Sequence, residues 1–161
     1  MPTRTLIATG LGTAAAAVIG SIASKAGVET WYPTLKKPPY VPPNAVFPVA
    51  WTTLYGDIAV SSATAIDTLR EKDDDAATRG YVTALGVNLA LNASWSWLFF
   101  KAHKLGPSAF AAGALALSSA DLVRRTSQVN SKAGLALTPY PLWCTFATVM
   151  SSDIWRLNRA R

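Results

Sequence analysis

Charged residues leave four long gaps in this chain: Arg4 to Lys25, Arg79 to Lys101, Lys104 to Asp121 and Lys132 to Asp153. The gaps are 20, 21, 16 and 20 residues long, near the roughly 20 that a helix needs to cross the hydrocarbon core of a bilayer. A fifth window, from Val46 to Leu69, is interrupted only by Asp57 and Asp67 and is otherwise apolar or small. Backbone groups in lipid must be satisfied within the segment, so the pattern predicts an all-α fold: an integral membrane bundle of five transmembrane helices. The predicted spans are 5–24, 46–69, 80–100, 105–122 and 133–154, with a loop over 25–45, in a single domain of residues 1–161. Two alternatives are weighed against it. A cleaved signal peptide fits the basic start and apolar centre of Met1 to Ala26, but the apolar run exceeds a usual h-region and four more windows follow. A soluble all-α protein fits the Ala-rich first and fourth windows but not Leu89 to Phe100, with two Trp and two Phe.

Within the spans, residue size and polarity are patterned at helical spacing. Ala8, Gly12, Ala16, Gly20 and Ser24 repeat every four residues, as do Ser108, Ala112, Ala116 and Ala120. Such small-residue stripes let helices approach closely where no hydrophobic effect separates lipid from protein, within the bundle or between two copies. On the third span Asn88, Asn92, Trp95 and Phe99 share one face. Amides in an apolar setting must be paired, so this face predicts either an interhelical clasp or a pocket wall. On the fifth, Tyr140, Trp143, Ala147 and Ser151 align in the same way.

The segment Trp31 to Tyr55 holds six prolines, two tryptophans and three tyrosines. Proline pairs at 38–39 and 42–43 fix φ and remove donors, so Lys37 to Asn44 is predicted to be a stiff, extended loop. It leads into a helix that Asn44 is expected to cap, with Pro48 in its first turn and Trp51 and Tyr55 one turn apart on one face. A rigid loop over aromatic rings suits a lid over a flat apolar ligand; Trp, Tyr and Lys at a membrane surface suit an interfacial anchor equally.

Composition narrows the chemistry. Half of the 161 residues are hydrophobic and 15% are charged, with a formal net charge of +6. The basic residues flank the apolar windows and form no continuous tract, which argues against nucleic acid and for lipid headgroups. By the predicted topology one side carries seven Lys or Arg and the other eight, so charge does not set the orientation. Cys144 is the single cysteine and excludes an internal disulfide. Asp73, Asp74 and Asp75 lack further ligands at metal-binding spacing and predict an exposed acidic loop, so no metal site is expected. His103 has no Cys or carboxylate beside it to build a triad or zinc site. Asp57, near the centre of the second window, is a functional-site candidate by its position alone, with a hydrogen-bonded structural carboxyl as the alternative.

The run Trp31-Tyr32, Leu35-Lys36-Lys37-Pro38, Pro42-Pro43, Val46-Phe47, Trp51 and Leu54-Tyr55 is followed by Leu89-Ala90-Leu91-Asn92, Trp95 and Phe99-Phe100. Pro139-Tyr140, Trp143, Phe146-Ala147 and Trp155-Arg156 complete the series. In order and spacing it resembles the translocator protein family, also called tryptophan-rich sensory proteins or peripheral benzodiazepine receptors. The resemblance implies five transmembrane helices, frequent homodimers and a pocket opening toward the first loop. It further implies tetrapyrrole ligands such as protoporphyrin IX, bound as ligand with no obligatory cofactor, in transport, sensing or regulation of porphyrin metabolism. The matching ligand-binding positions are Tyr32, Pro42, Trp51, Tyr55, Asn92, Trp95, Trp143 and Ala147. Light- and oxygen-dependent porphyrin breakdown, with Trp51 or Trp143 as the reactive indole, is the enzymatic alternative; sterol or small-molecule transport is another. The stretch Val149 to Arg156 lacks the Tyr that the animal cholesterol motif places before its terminal Trp-Arg, and no targeting extension is evident. Both features point to a bacterial cell membrane rather than a mitochondrial outer membrane.

Overall fold

A computed structural model describes residues 2–160, and among them there is no strand. Five long helices and one short one carry the fold: α1 (Pro2–Gly27), α2 (Val46–Glu71), α3 (Asp75–Ser96), α4 (Leu105–Val129), α5 (Ser131–Leu137) and α6 (Pro139–Asn158). Packing runs as a ring, in which α1 lies against α2 and α3, α3 against α4, α4 against α6, and α5 against α2 and α4. Between α2 and α6 the contact is chiefly through rings: Trp51 meets Trp143 and Tyr140 edge-on, each with centroids 6.4 Å apart.

Local chemistry sets the breaks. Asp73 takes a left-handed φ of 54°, and the Asp74 carboxylate accepts from the Ala77 N–H at 3.0 Å to cap α3. Asn130 caps α5 in the same manner. Pro139 lacks an N–H and its ring crowds the preceding turn, so the predicted fifth span of 133–154 divides into α5 and α6 around Thr138. The expected cap from Asn44 is absent: Ala45 is the cap residue of α2 and no side chain bonds there. Beyond α3 the chain continues as a π-helical turn, Trp97–Lys101, and reaches His103, whose φ is 57°.

The small-residue stripes shift from their expected register. Steps of four residues advance 40° beyond a full turn of a 3.6-residue helix, so a strict spacing of four spirals off the buried face. Ala8 and Ala120 are accordingly exposed. The face of α1 that is buried reads Thr5, Thr9, Thr13, Ala16, Gly20, Ala23 and Gly27. Thr9 donates to the Ala59 carbonyl at 2.9 Å and Thr5 to Asp67 at 2.6 Å, while Arg70 donates to Thr5 at 3.1 Å, tying α1 to α2. At Gly27 a Cβ would stand 2.3 Å from the Phe100 carbonyl oxygen. Only glycine permits that approach of α1 to the π turn.

Large hydrophobic side chains point outward on every long helix: Leu11 and Ile22 on α1, Val60 on α2, Val87 on α3, Phe110 and Leu117 on α4, and Leu142 on α6, each more than half exposed. By length and apolarity one helix among the described residues, α1 over Thr3–Gly27, qualifies alone as a membrane span. The others dilute their apolar residues with Ser, Thr, Asn and Gly, many of which are buried in the bundle.

Candidate functional site

In the half of the bundle beneath the first loop, α1, α2, α3 and the loop enclose a cavity of about 230 Å³. Each wall follows from its sequence. α1 contributes only small residues, Ala17, Gly20, Ser21 and Ser24, which leaves room beside it. α2 contributes Phe47, Pro48, Trp51 and Tyr55, and the last two stack with centroids 5.6 Å apart. The face of α3 contributes Asn92 and Trp95, and the π turn adds Phe99 and Phe100. Trp95 and Phe99 stack at 5.1 Å, and Trp95 Nε1 donates to Ser151 Oγ at 3.3 Å, which fixes the indole plane. The wider five-residue turn places Phe99 at 0% exposure while Phe100 stands at right angles to Trp95.

The loop forms the roof. Its start, Tyr32–Thr34, is a short 3₁₀ turn that buries the Tyr32 ring against Phe99 and Phe100. Lys37 lies with Nζ 4.5 Å from the Tyr32 ring centroid. Trp31 stacks flat on His103, centroids 4.1 Å apart, which joins the roof to the turn after α3. From α6, Asn158 pairs with the backbone of Lys36 and Asp153 accepts from the Tyr40 hydroxyl. Partial burial, then the Asp153 carboxylate, push the Tyr40 phenol up to about 12. These pins explain why a loop of this length has one closed course.

Of the eight ligand-binding positions expected from the sequence, Tyr32, Trp51, Tyr55, Asn92 and Trp95 line the cavity together. Pro42, Trp143 and Ala147 are not among the lining residues. Trp143 stands behind Trp51 and edge-on to Phe47 at 5.9 Å. Asn88 is fully buried one turn below the cavity. It accepts from Tyr140 at 2.6 Å and donates to Ser118 and Ser119. Asp57 does not line the cavity either; it is half-buried and accepts from Ser61 at 2.9 Å. Asn158 escaped the sequence reading because a lone amide in the last turn of α6 carries no periodic signal.

Residues 8–156 match the TspO/MBR family. The chain belongs to that family. It is 36% identical over 128 residues to protein CrtK of Rhodobacter capsulatus, covering 80% of this chain and 78% of that protein. It is 33% identical over 154 residues to tryptophan-rich protein TspO of Archaeoglobus fulgidus, covering 95% and 96%. With the translocator protein of Ovis aries it shares 32% over 137 residues, covering 81% and 76%. The match spans the aromatic roof, both tryptophans of the α2–α6 contact and the polar face of α3. TspO/MBR proteins are a membrane family, and the all-α bundle described above is in keeping with it.

Proposed function

We propose that this TspO/MBR protein is a multi-pass membrane protein that binds tetrapyrroles and related flat apolar molecules in the cavity beneath the loop. The observation that carries the reading is the cavity's construction: stacked Trp51–Tyr55 on one side, stacked Trp95–Phe99 on the other, and a small-residue wall on α1. Aromatic faces bind flat rings by offset stacking and by removing apolar area from water. The end of the bundle above the cavity carries Lys25, Lys36, Lys37, Lys101, Lys104, Arg156 and Arg159 against Glu29 and Asp153. Carboxylates of a ligand entering from that end meet a cationic rim, with Lys36 and Lys37 nearest the roof. At about 230 Å³ the cavity lies below the roughly 300–1,000 Å³ of ordinary ligand sites. A whole porphyrin therefore enters with the roof displaced. The outward hydrophobic residues on α1, α2, α3, α4 and α6 supply the lipid-facing surface of the bundle.

The test is titration of protoporphyrin IX into the detergent-purified protein. Binding is expected to quench tryptophan fluorescence, with Trp51→Ala weakening it tenfold or more. Unaltered affinity in Trp51→Ala and Trp95→Ala together would place the ligand elsewhere. Light-dependent breakdown of the bound ring is a second reading, favoured by Trp51 being a cavity-wall indole backed by Tyr55, Tyr140 and Trp143. Illumination in air then yields a new absorption band that Trp51→Phe abolishes; bleaching at the rate of empty micelles removes this reading and leaves binding intact.

A further inference from the structure

The half of the bundle opposite the cavity carries a groove on its outer surface, between α1 and α3. Thr5, Ala8 and Gly12 on α1 and Val82, Gly86 and Leu89 on α3 follow helical spacing, so each helix turns one face to the groove. Ala8, Gly12 and Gly86 lack the bulk to fill the space between the helices, and a Cβ at Gly86 would meet nothing within 4 Å. The groove that remains measures about 430 Å³ and is open to the outside, where Ala8, Val82 and Gly86 are exposed.

Arg4 and Arg70 line this groove, and no carboxylate does. Arg4 borders the first charge-free window and Arg70 follows the window 46–69, so both stand where hydrocarbon gives way to headgroups. From Arg4 to Gly12 the helix rises about 12 Å, most of the roughly 15 Å that one leaflet contributes to the hydrocarbon core. Arg124 and Arg125 are paired with Asp121, and Arg156 with Asp153, whereas neither Arg4 nor Arg70 has an ion-pair partner among the described residues. Arg70 donates to Thr5 Oγ1 at 3.1 Å, which draws its guanidinium onto the helix that carries Arg4. The Asp67 carboxylate nearby is engaged by the Thr5 hydroxyl at 2.6 Å. Two guanidiniums without counter-charge at the head of an apolar groove match an anion that carries a hydrocarbon chain.

We propose that this groove binds an acidic glycerophospholipid, with its phosphodiester between Arg4 and Arg70 and one acyl chain lying along the α1–α3 groove. A second copy of this chain suits the face less well, because side-by-side packing in one membrane sets arginines of like charge against each other. The groove shares no lining residue with the cavity beneath the first loop and is independent of what binds there.

The test is titration of the full chain in detergent, read as lipid adducts by native mass spectrometry, with phosphatidylglycerol and with phosphatidylcholine of the same acyl chains. Phosphatidylglycerol is expected to bind with a Kd lower by about fivefold or more. Arg4→Gln with Arg70→Gln, which keeps a donor for Thr5, should bring the two lipids level. Arg79→Gln, at the same end but outside the groove, should leave the preference intact. Gly86→Leu, which fills the groove, should weaken both lipids. Equal affinities of the two lipids for the wild-type chain overturn the proposal, and that comparison decides even if the double variant folds poorly. An equal loss in Arg79→Gln also overturns it, by assigning the preference to the charge of the whole bundle end. Glycerophosphoglycerol, the headgroup alone, should not bind; affinity equal to that of the lipid would remove the acyl chain from the site and overturn the proposal. A dimer that Gly86→Leu dissociates, in a chain with no lipid preference, would put a second copy on this face and overturn it as well.

Discussion

The side-chain amide of Asn158 closes on both backbone groups of Lys36, donating to its carbonyl at 2.8 Å and accepting from its N–H at 3.0 Å. The two residues are 122 positions apart. One amide thus supplies to the roof loop the paired bonds that a neighbouring strand would supply, and it binds the last turn of α6 to the segment above the cavity.

Asn158→Ala removes both bonds and leaves two backbone groups of Lys36 to water or to nothing. The expected cost is about 1–3 kcal/mol of stability, with faster proteolysis confined to residues 35–44. Thermal unfolding and limited trypsin digestion measure the two effects, and an unchanged digestion pattern would mean that the clasp does not hold the roof.

Gly27 and Gly56 provide a matched pair. A Cβ at Gly27 collides with backbone at Phe100, whereas at Gly56 nothing lies within 4 Å. Gly27→Ala is expected to destabilise by about 1–3 kcal/mol, and Gly56→Ala, in mid-helix, to be neutral or to stabilise by up to about 1 kcal/mol. Thermal unfolding of the two variants side by side gives the comparison.

Trp51 lines the cavity and Trp143 supports it from behind. Trp51→Ala should therefore weaken protoporphyrin IX binding directly, by about 1–3 kcal/mol per lost stacking partner, while Trp143→Ala should act mainly through stability. Equal affinity losses at unchanged melting temperature in both variants would show that both indoles touch the ligand.

Asp57 accepts from Ser61, lies outside the cavity and has no ion-pair partner among those described. Asp57→Asn keeps the hydrogen bond, so stability and porphyrin affinity should each change by less than about 1 kcal/mol. Dissociation constants of both proteins between pH 5 and 8 are expected to run parallel; a pH dependence present in the wild type and lost in the variant would return Asp57 to the functional site.

Alkaline pH tests the Tyr40 clasp. With the folded phenol at about 12 against the ordinary tyrosine value of 10.0, its contribution is fully present below pH 10, where both states are protonated. It is lost as pH rises toward 12, because the unfolded chain ionises first. Absorbance titration at alkaline pH should show one tyrosine shifted down by Asp153→Asn, and the roof should become protease-sensitive over the same interval.

Helical composition, the charge-free windows and the proline-rich loop are local properties, and periodicity with steric rules was sufficient to locate them in the sequence. The stacking pair Trp51–Tyr55 and the shared face of Asn88, Asn92, Trp95 and Phe99 were legible for the same reason, since residues a turn apart on one helix must be neighbours. Which of the aromatic residues share a cavity depends on how helices are rotated against one another. That rotation is set by contacts distant in sequence: Thr9 on Ala59, Gly27 against Phe100, Trp51 against Trp143. It left Trp143 and Ala147 out of the lining although their helix face was read correctly, and it turned the α1 stripe by part of a turn. The course of the roof was equally invisible, because Asn158, Asp153 and His103 acquire their partners only when chain ends and turns meet. The hydrogen-bond chain from Tyr55 through Asn92 and Tyr140 to Asn88 lies furthest from the sequence, because it joins α2, α3 and α6 and exists only once those helices are packed together.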